Sequence, residues 1–186
     1  MRSQGFSIAL IASQILLGIS LSFSSHDSFA KQDRSPQPHP QRIITLAPHL
    51  SELVDSAGGS NRLVGVSAFS NYPTSVKQLP ITSDARSIDL EKMKSLRPDL
   101  IIYWRGGTSE SQIQSIKKTF NKDVQFIAVE PKKLSDIATD IETIGKALGT
   151  EQIAQKNADA LRIKITELRN KEHNQNKQNN SKNLSQ

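Results

Sequence analysis

Short runs of β-branched and aliphatic residues alternate along this chain with segments whose apolar residues fall at helical spacing. That alternation is the strongest constraint on its fold. The runs lie at 43–47, 63–66, 100–104 and 124–129. After the first, Leu50, Leu53, Val54 and Ala57 share one helical face, and Gly58-Gly59 suits the left-handed turn that ends a helix. Asp89 is placed to cap a helix with Leu90, Met93 and Leu96 inward, ended by Pro98. Ser109-Glu110-Ser111-Gln112 reads as a capping box opening a helix with Ile113, Ile116 and Phe120 on one face. Ile137, Ile141, Ile144 and Leu148 line the next helix, which Gly149 closes. Strand–helix alternation with short connections predicts an α/β lobe, a mainly parallel sheet flanked by helices. Ligands of such sheets bind beyond the carboxyl ends of the strands. That rule directs attention to residues 47–50, 68–73, 105–108 and 130–133.

The flanking segments set the domain plan. Arg2 followed by an apolar run over 6–23 and the small-x-small pattern Ser28-Phe29-Ala30 reads as an export signal over 1–30, cleaved after Ala30. Ser13, Gln14 and Ser20 interrupt the run, which falls short of the ~20 clean apolar residues of a membrane span. The chain has no cysteine, which excludes disulfides, thiolate metal sites and a lipoprotein anchor. Residues 31–41 carry three prolines and form an extended leader, so folded structure is expected from Arg42 through 149. The hydrophobic content of 35% in 186 residues suffices for one modest core. Thr150 is a predicted N-cap for a long helix over 150–172, in which Ala154, Ala158, Leu161, Ile165 and Leu168 form one narrow stripe. That stripe has three possible uses: packing on the lobe, spanning to another domain, or pairing with a partner helix. Residues 173–186 are mostly Asn, Gln, Lys and Ser, and a disordered tail is expected there.

The chemistry-bearing residues are few. A net charge of +6 without an aromatic-interleaved basic patch makes a nucleic-acid partner unexpected. No nucleophile–base set is evident, so no enzyme activity, catalytic residue, metal site or cofactor is expected. Of the four histidines, His49 is the one at a strand end; it reads either as a metal or haem ligand or as an ordinary polar residue. Gly106-Gly107 is either a phosphate cradle or a plain turn. Asp84, Asp89 and Glu91 cluster in sequence, and two of them fit capping and surface roles. Phe69, Tyr72 and Trp104 all fall at strand ends or in the loops beyond them, where they serve either core packing or an aromatic ligand platform.

Arg42-Ile43-Ile44-Thr45-Leu46-Ala47-Pro48, then Leu63-Val64-Gly65-Val66-Ser67-Ala68-Phe69-Ser70-Asn71-Tyr72-Pro73 and the stretch from Leu90 through Trp104-Arg105-Gly106-Gly107, resemble the periplasmic cobalamin-binding proteins of ABC importers. The resemblance runs from about Arg42 to Arg169. It implies two α/β lobes joined by one long helix, with cobalamin clamped between them as a transported ligand rather than a cofactor. It implies that Phe69 and Trp104 pack on the corrin with the His49 backbone and Tyr72 nearby, and that Glu91 docks on the membrane permease. Two departures stand out. Ala85 lies where relatives often place another aromatic, and the chain is expected to stop after the first lobe and bridging helix, the second lobe being absent. A chain so truncated would leave its bridging-helix stripe exposed and would need a separately supplied second lobe. The alternatives are a haem or ferric-siderophore binder of the same superfamily, with His49 or Tyr72 as candidate iron ligands, and an interaction protein working through its long helix.

Overall fold

The structure, a computed structural model, describes residues 39–120, 122 and 124–183, with side chains as far as Lys177. The export signal expected over 1–30, most of the leader over 31–41 and the last three residues lie outside that range. The elements run β1 (Ile43–Thr45), α1 (Pro48–Ser56), β2 (Leu63–Ser67), β3 (Ile81–Ser83), α2 (Leu90–Ser95), β4 (Leu100–Trp104), α3 (Glu110–Thr119), β5 (Gln125–Val129), α4 (Leu134–Leu148) and α5 (Glu151–Asn183). Single turns of 3-10 helix lie at Ser60–Arg62 and Thr74–Gln78.

The sheet is parallel throughout, in the order β3-β2-β1-β4-β5. The chain steps outward from β1 to β3, then returns to the other side of β1 for β4 and β5. Right-handed crossovers on a path that reverses direction put α1 on one face and the crossover helices α2 and α3 on the other, and α4 after β5 returns to the α1 face. Ile43, Leu100 and Ile102 accordingly pack with residues of α1 and α4. Their strand neighbours Ile44, Ile101 and Tyr103 pack with Met93 of α2 and Ile113 and Ile116 of α3. The expected helix signals operate as read. Asp89 accepts from the Lys92 N–H at 2.9 Å, the Ser109–Gln112 capping box is formed, and Gly149 ends α4 at φ 68°.

Several features depart from the sequence reading. The edge strand β3 was not expected, because three residues between Pro80 and Asp84 are too short to show a period; it is held by the Val66 N–H on the Pro80 carbonyl at 3.0 Å and the Ala68 N–H on the Ser83 carbonyl at 2.7 Å. Order begins before Arg42. Pro40 is buried, and the Arg62 guanidinium donates to the carbonyls of Pro40 at 3.0 Å and Leu148 at 2.8 Å, a long-range tie that no local pattern announces. Thr150 does not cap α5 with its side chain; its hydroxyl donates to the Ala57 carbonyl at 2.6 Å and fastens the start of α5 to the end of α1. Finally, α5 runs to Asn183 rather than stopping at 172, so the tail expected to be disordered from His173 is helical that far. Residues 151–183 contain neither Gly nor Pro, and Asn, Gln and Lys each cost only a few tenths of a kcal/mol in a helix, so loss of the apolar stripe is not by itself a stop signal.

The stripe on α5 is also not left exposed. Ala154 and Ala158 are fully buried against α4 and α1, and Ile165 is nearly fully buried. Arg162 reinforces the contact, donating through both terminal nitrogens to the Glu142 carboxylate of α4, one bond at 2.8 Å, and to Asp159 at 3.0 Å. Only Leu168, at 54% exposure, remains in solvent. Among the described residues no helix is long and apolar enough to cross a membrane.

One group in α4 opposes folding at neutral pH. Oδ2 of Asp140 is buried without a hydrogen-bond partner, and burial, then the neighbouring charge of Asp136, raises its pKa above the ordinary 3.8. A carboxyl raised in the folded state destabilises it wherever ionised, fully above its folded pKa and not at all below 3.8. Asp140→Asn is therefore expected to raise Tm by about 2 °C at neutral pH. Thermal melts across pH should show that gain vanishing as the pH falls through the carboxylate range.

Candidate functional site

In a parallel sheet all strand ends of one sense share an edge. Here Thr45, Ser67, Ser83, Trp104 and Val129 end the strands at that edge. The switch point lies between β1 and β4, the neighbours whose onward connections diverge, and a crevice is expected there. A cavity of about 230 Å³ occupies the position, lined by Leu46, Ala47 and Pro48 after β1, Ala68 and Phe69 after β2, Asp84 and Ala85 after β3, and Trp104, Gly107 and Thr108 after β4.

Two aromatics dominate its mouth. Phe69 is 88% exposed and stands at φ 66°, in a turn closed by the Ser70 N–H on the Ser67 carbonyl. A bulky residue at positive φ is strained, by about 1–2 kcal/mol, and such strain concentrates at binding sites. Trp104, the last residue of β4, is 39% exposed, its indole lying over the following turn. A Cβ on Gly106 or Gly107 would intrude on that ring. The glycine pair thus seats the indole, as a tight turn does, and the N-terminus of α3 beyond it is capped by Ser109 and Gln112.

His49, in the first turn of α1, meets the Trp104 ring edge-on, with centroids 5.4 Å apart and planes at 86°. Partial burial lowers its pKa from 6.5, opposed by the charge of Glu52, so the imidazole is neutral at neutral pH. Trp104 is the sole tryptophan. Its emission is therefore expected to titrate with a midpoint below 6.5 as a charge forms beside it, and His49→Gln should abolish that titration. Tyr72 is 55% exposed and does not line the cavity; Ser51 Oγ donates to its carbonyl at 2.8 Å and anchors the loop. Glu91 lies apart, in the first turn of α2, its side chain exposed and paired with Lys94 at 2.9 Å. The structure therefore gathers Phe69, Trp104 and His49 and leaves Tyr72 outside the cavity lining and Glu91 on another surface.

Sequence reasoning missed Asp84 as a lining residue, whereas Thr108 lies in one of the segments it singled out. Asp84 reaches the cavity because β3 ends beside β2, and β3 carried no readable period. A wider apolar groove of about 450 Å³ lies between α1, α4 and α5, lined by His49, Leu53, Ile137, Ile141 and Leu161.

A family model described as periplasmic binding protein matches residues 43–182. The chain is 34% identical over 134 residues to the vitamin B12-binding protein of Vibrio vulnificus, covering 72% of this chain and 48% of that one. It spans about half the length of the curated relatives it matches. The crystal structure of the periplasmic vitamin B12-binding protein of Vibrio cholerae superposes with a TM-score of 0.67 at 30% identity, over 73% of this chain and 52% of that one. A periplasmic heme-binding protein from Pseudomonas aeruginosa gives 0.61 at 26% identity, over 69% and 45%.

Proposed function

This chain belongs to the periplasmic binding protein family, and from that premise we propose that its lobe is the cobalamin-binding half of a receptor feeding an ABC importer. The observation that carries the reading is the pair of exposed aromatics, Phe69 and Trp104, flanking an apolar cavity at the switch point of the sheet. Flat rings standing in water suit the face of a large macrocycle, which gains from covering apolar surface the fold leaves open. The similarity to vitamin B12-binding proteins supports the choice of macrocycle.

In this reading residues 1–30 direct export to the periplasm with cleavage after Ala30, residues 42–149 hold the ligand, and α5 is the bridge. A second lobe covers the other face of the corrin. Glu91, exposed on α2, is the contact for the membrane permease. The haem reading is less well supported: His49 turns its ring against Trp104 instead of lining the cavity, and Tyr72 does not line it either.

Titration of the protein with cyanocobalamin, followed by Trp104 fluorescence and corrected for absorbance with free tryptophan, tests the proposal. Saturable quenching is expected. For this lobe by itself, with half of a nanomolar contact surface, the affinity should be on the order of tens of micromolar. A flat corrected curve from a folded sample would refute the reading.

A further inference from the structure

Among the residues lining the aromatic cavity, Asp84 alone carries a charge. Its Oδ1 accepts the backbone N–H groups of Arg86 at 2.7 Å and Ser87 at 2.8 Å, which fixes the carboxylate at the turn after β3. Those bonds first, then the Ser87 side chain and the charge of Arg86, hold its pKa below the ordinary carboxylate value, so it is ionised throughout the neutral range. The nearby cations do not cancel it inside the cavity. Arg86 lines a separate cleft with Ser111 and Gln112, and Arg105 is paired with Glu130 at 3.5 Å. His49 is neutral there. Beside Asp84, the small side chain of Ala85 leaves room for a substituent of the ligand to reach the carboxylate.

We infer that Asp84 is a specificity-determining residue of this site, favouring macrocycles whose peripheral side chains are neutral amides over those that bear carboxylates. The inference rests on the cobalamin reading above. An amide N–H can donate to the Asp84 carboxylate, whereas a carboxylate at the same place meets a like charge. In a water-exposed setting one such repulsion across about 6 Å amounts to about three-fold in affinity, and salt screens it.

The test compares cyanocobalamin with cyanocobalamin whose peripheral propionamides have been hydrolysed to carboxylates. Both are titrated into the wild-type protein and Asp84→Asn at low and high salt. Asparagine can still accept the Arg86 and Ser87 N–H groups, and Asp84→Ser serves as a second neutral variant. The expected result is a wild-type preference for the amide form that shrinks about three-fold or more in both variants and fades at high salt. A merely structural role would weaken both ligands together and leave their ratio unchanged. A ratio that is the same in wild type and variants overturns this inference and leaves the cobalamin reading standing. Absence of saturable binding by cyanocobalamin to any of the proteins overturns both.

Discussion

Gly145→Ala is expected to destabilise this protein by about 2 kcal/mol, a fall in Tm of about 4–8 °C, although the same change inside a helix ordinarily stabilises by about 1 kcal/mol. The sign inverts because Gly145 is the point of closest approach between α4 and α5. A Cβ there would overlap the Ala154 methyl group, and Ala154 is fully buried with no direction in which to yield. Overpacking of a closed contact costs about 1–3 kcal/mol, and here it also levers apart the pair that buries Ala158 and that Arg162 bridges to Glu142. The compensating change is specific. Ala154→Gly removes the opposing methyl, so Gly145→Ala combined with Ala154→Gly should recover most of the loss. Thermal denaturation of the two single variants and the double variant measures the coupling. Additive losses would show that the helices do not meet at this point.

This contact also shows what the sequence carries and what it hides. Strands β1 and β4 and the caps of α2 and α3 were readable because their signals are local: an unbroken apolar run at Leu100–Trp104, Asp89 before Leu90, Ser109 three residues before Gln112. The stripe on α5 was readable as a stripe, but not its partner. Small residues such as Ala154 and Ala158 register weakly on any hydrophobic scale, yet they are what allows two helices to approach closely, and their counterpart Gly145 lies on another element. The same holds for the tie from Arg62 to Pro40, for β3, and for Asp84, each positioned by a partner distant in sequence. Of the candidate site, the aromatics were legible because exposed strand ends of a parallel sheet are a place the fold rule identifies in advance. The seating of Trp104 on Gly106-Gly107 and its edge contact with His49 were not, since both depend on how a turn folds back on itself.

The sharpest test of whether Phe69 serves a ligand or the fold is a substitution whose two consequences run in opposite directions. Phe69→Gly is expected to raise Tm by about 1–3 °C and to weaken cyanocobalamin binding about thirty-fold. The ring is 88% exposed, so its removal forfeits almost no packing within the lobe. The backbone stands at φ 66°, where glycine avoids a strain of about 1–2 kcal/mol, offset by about 0.5–1 kcal/mol of added chain entropy in the unfolded state. Binding responds the other way, because covering one phenyl ring contributes about 2 kcal/mol, equivalent to about thirty-fold in affinity. Phe69→Ala separates the two effects: alanine keeps the Cβ and hence the strain, so affinity should fall as far while Tm stays level. Trp104 remains in place as the reporter in both variants. A residue retained only for packing would lose stability on truncation, and a loss of Tm in Phe69→Gly with unchanged affinity would remove Phe69 from the site. The combination of lower affinity with higher stability would mean that the strain is maintained to hold an aromatic ring out in solvent, where a macrocycle can cover it.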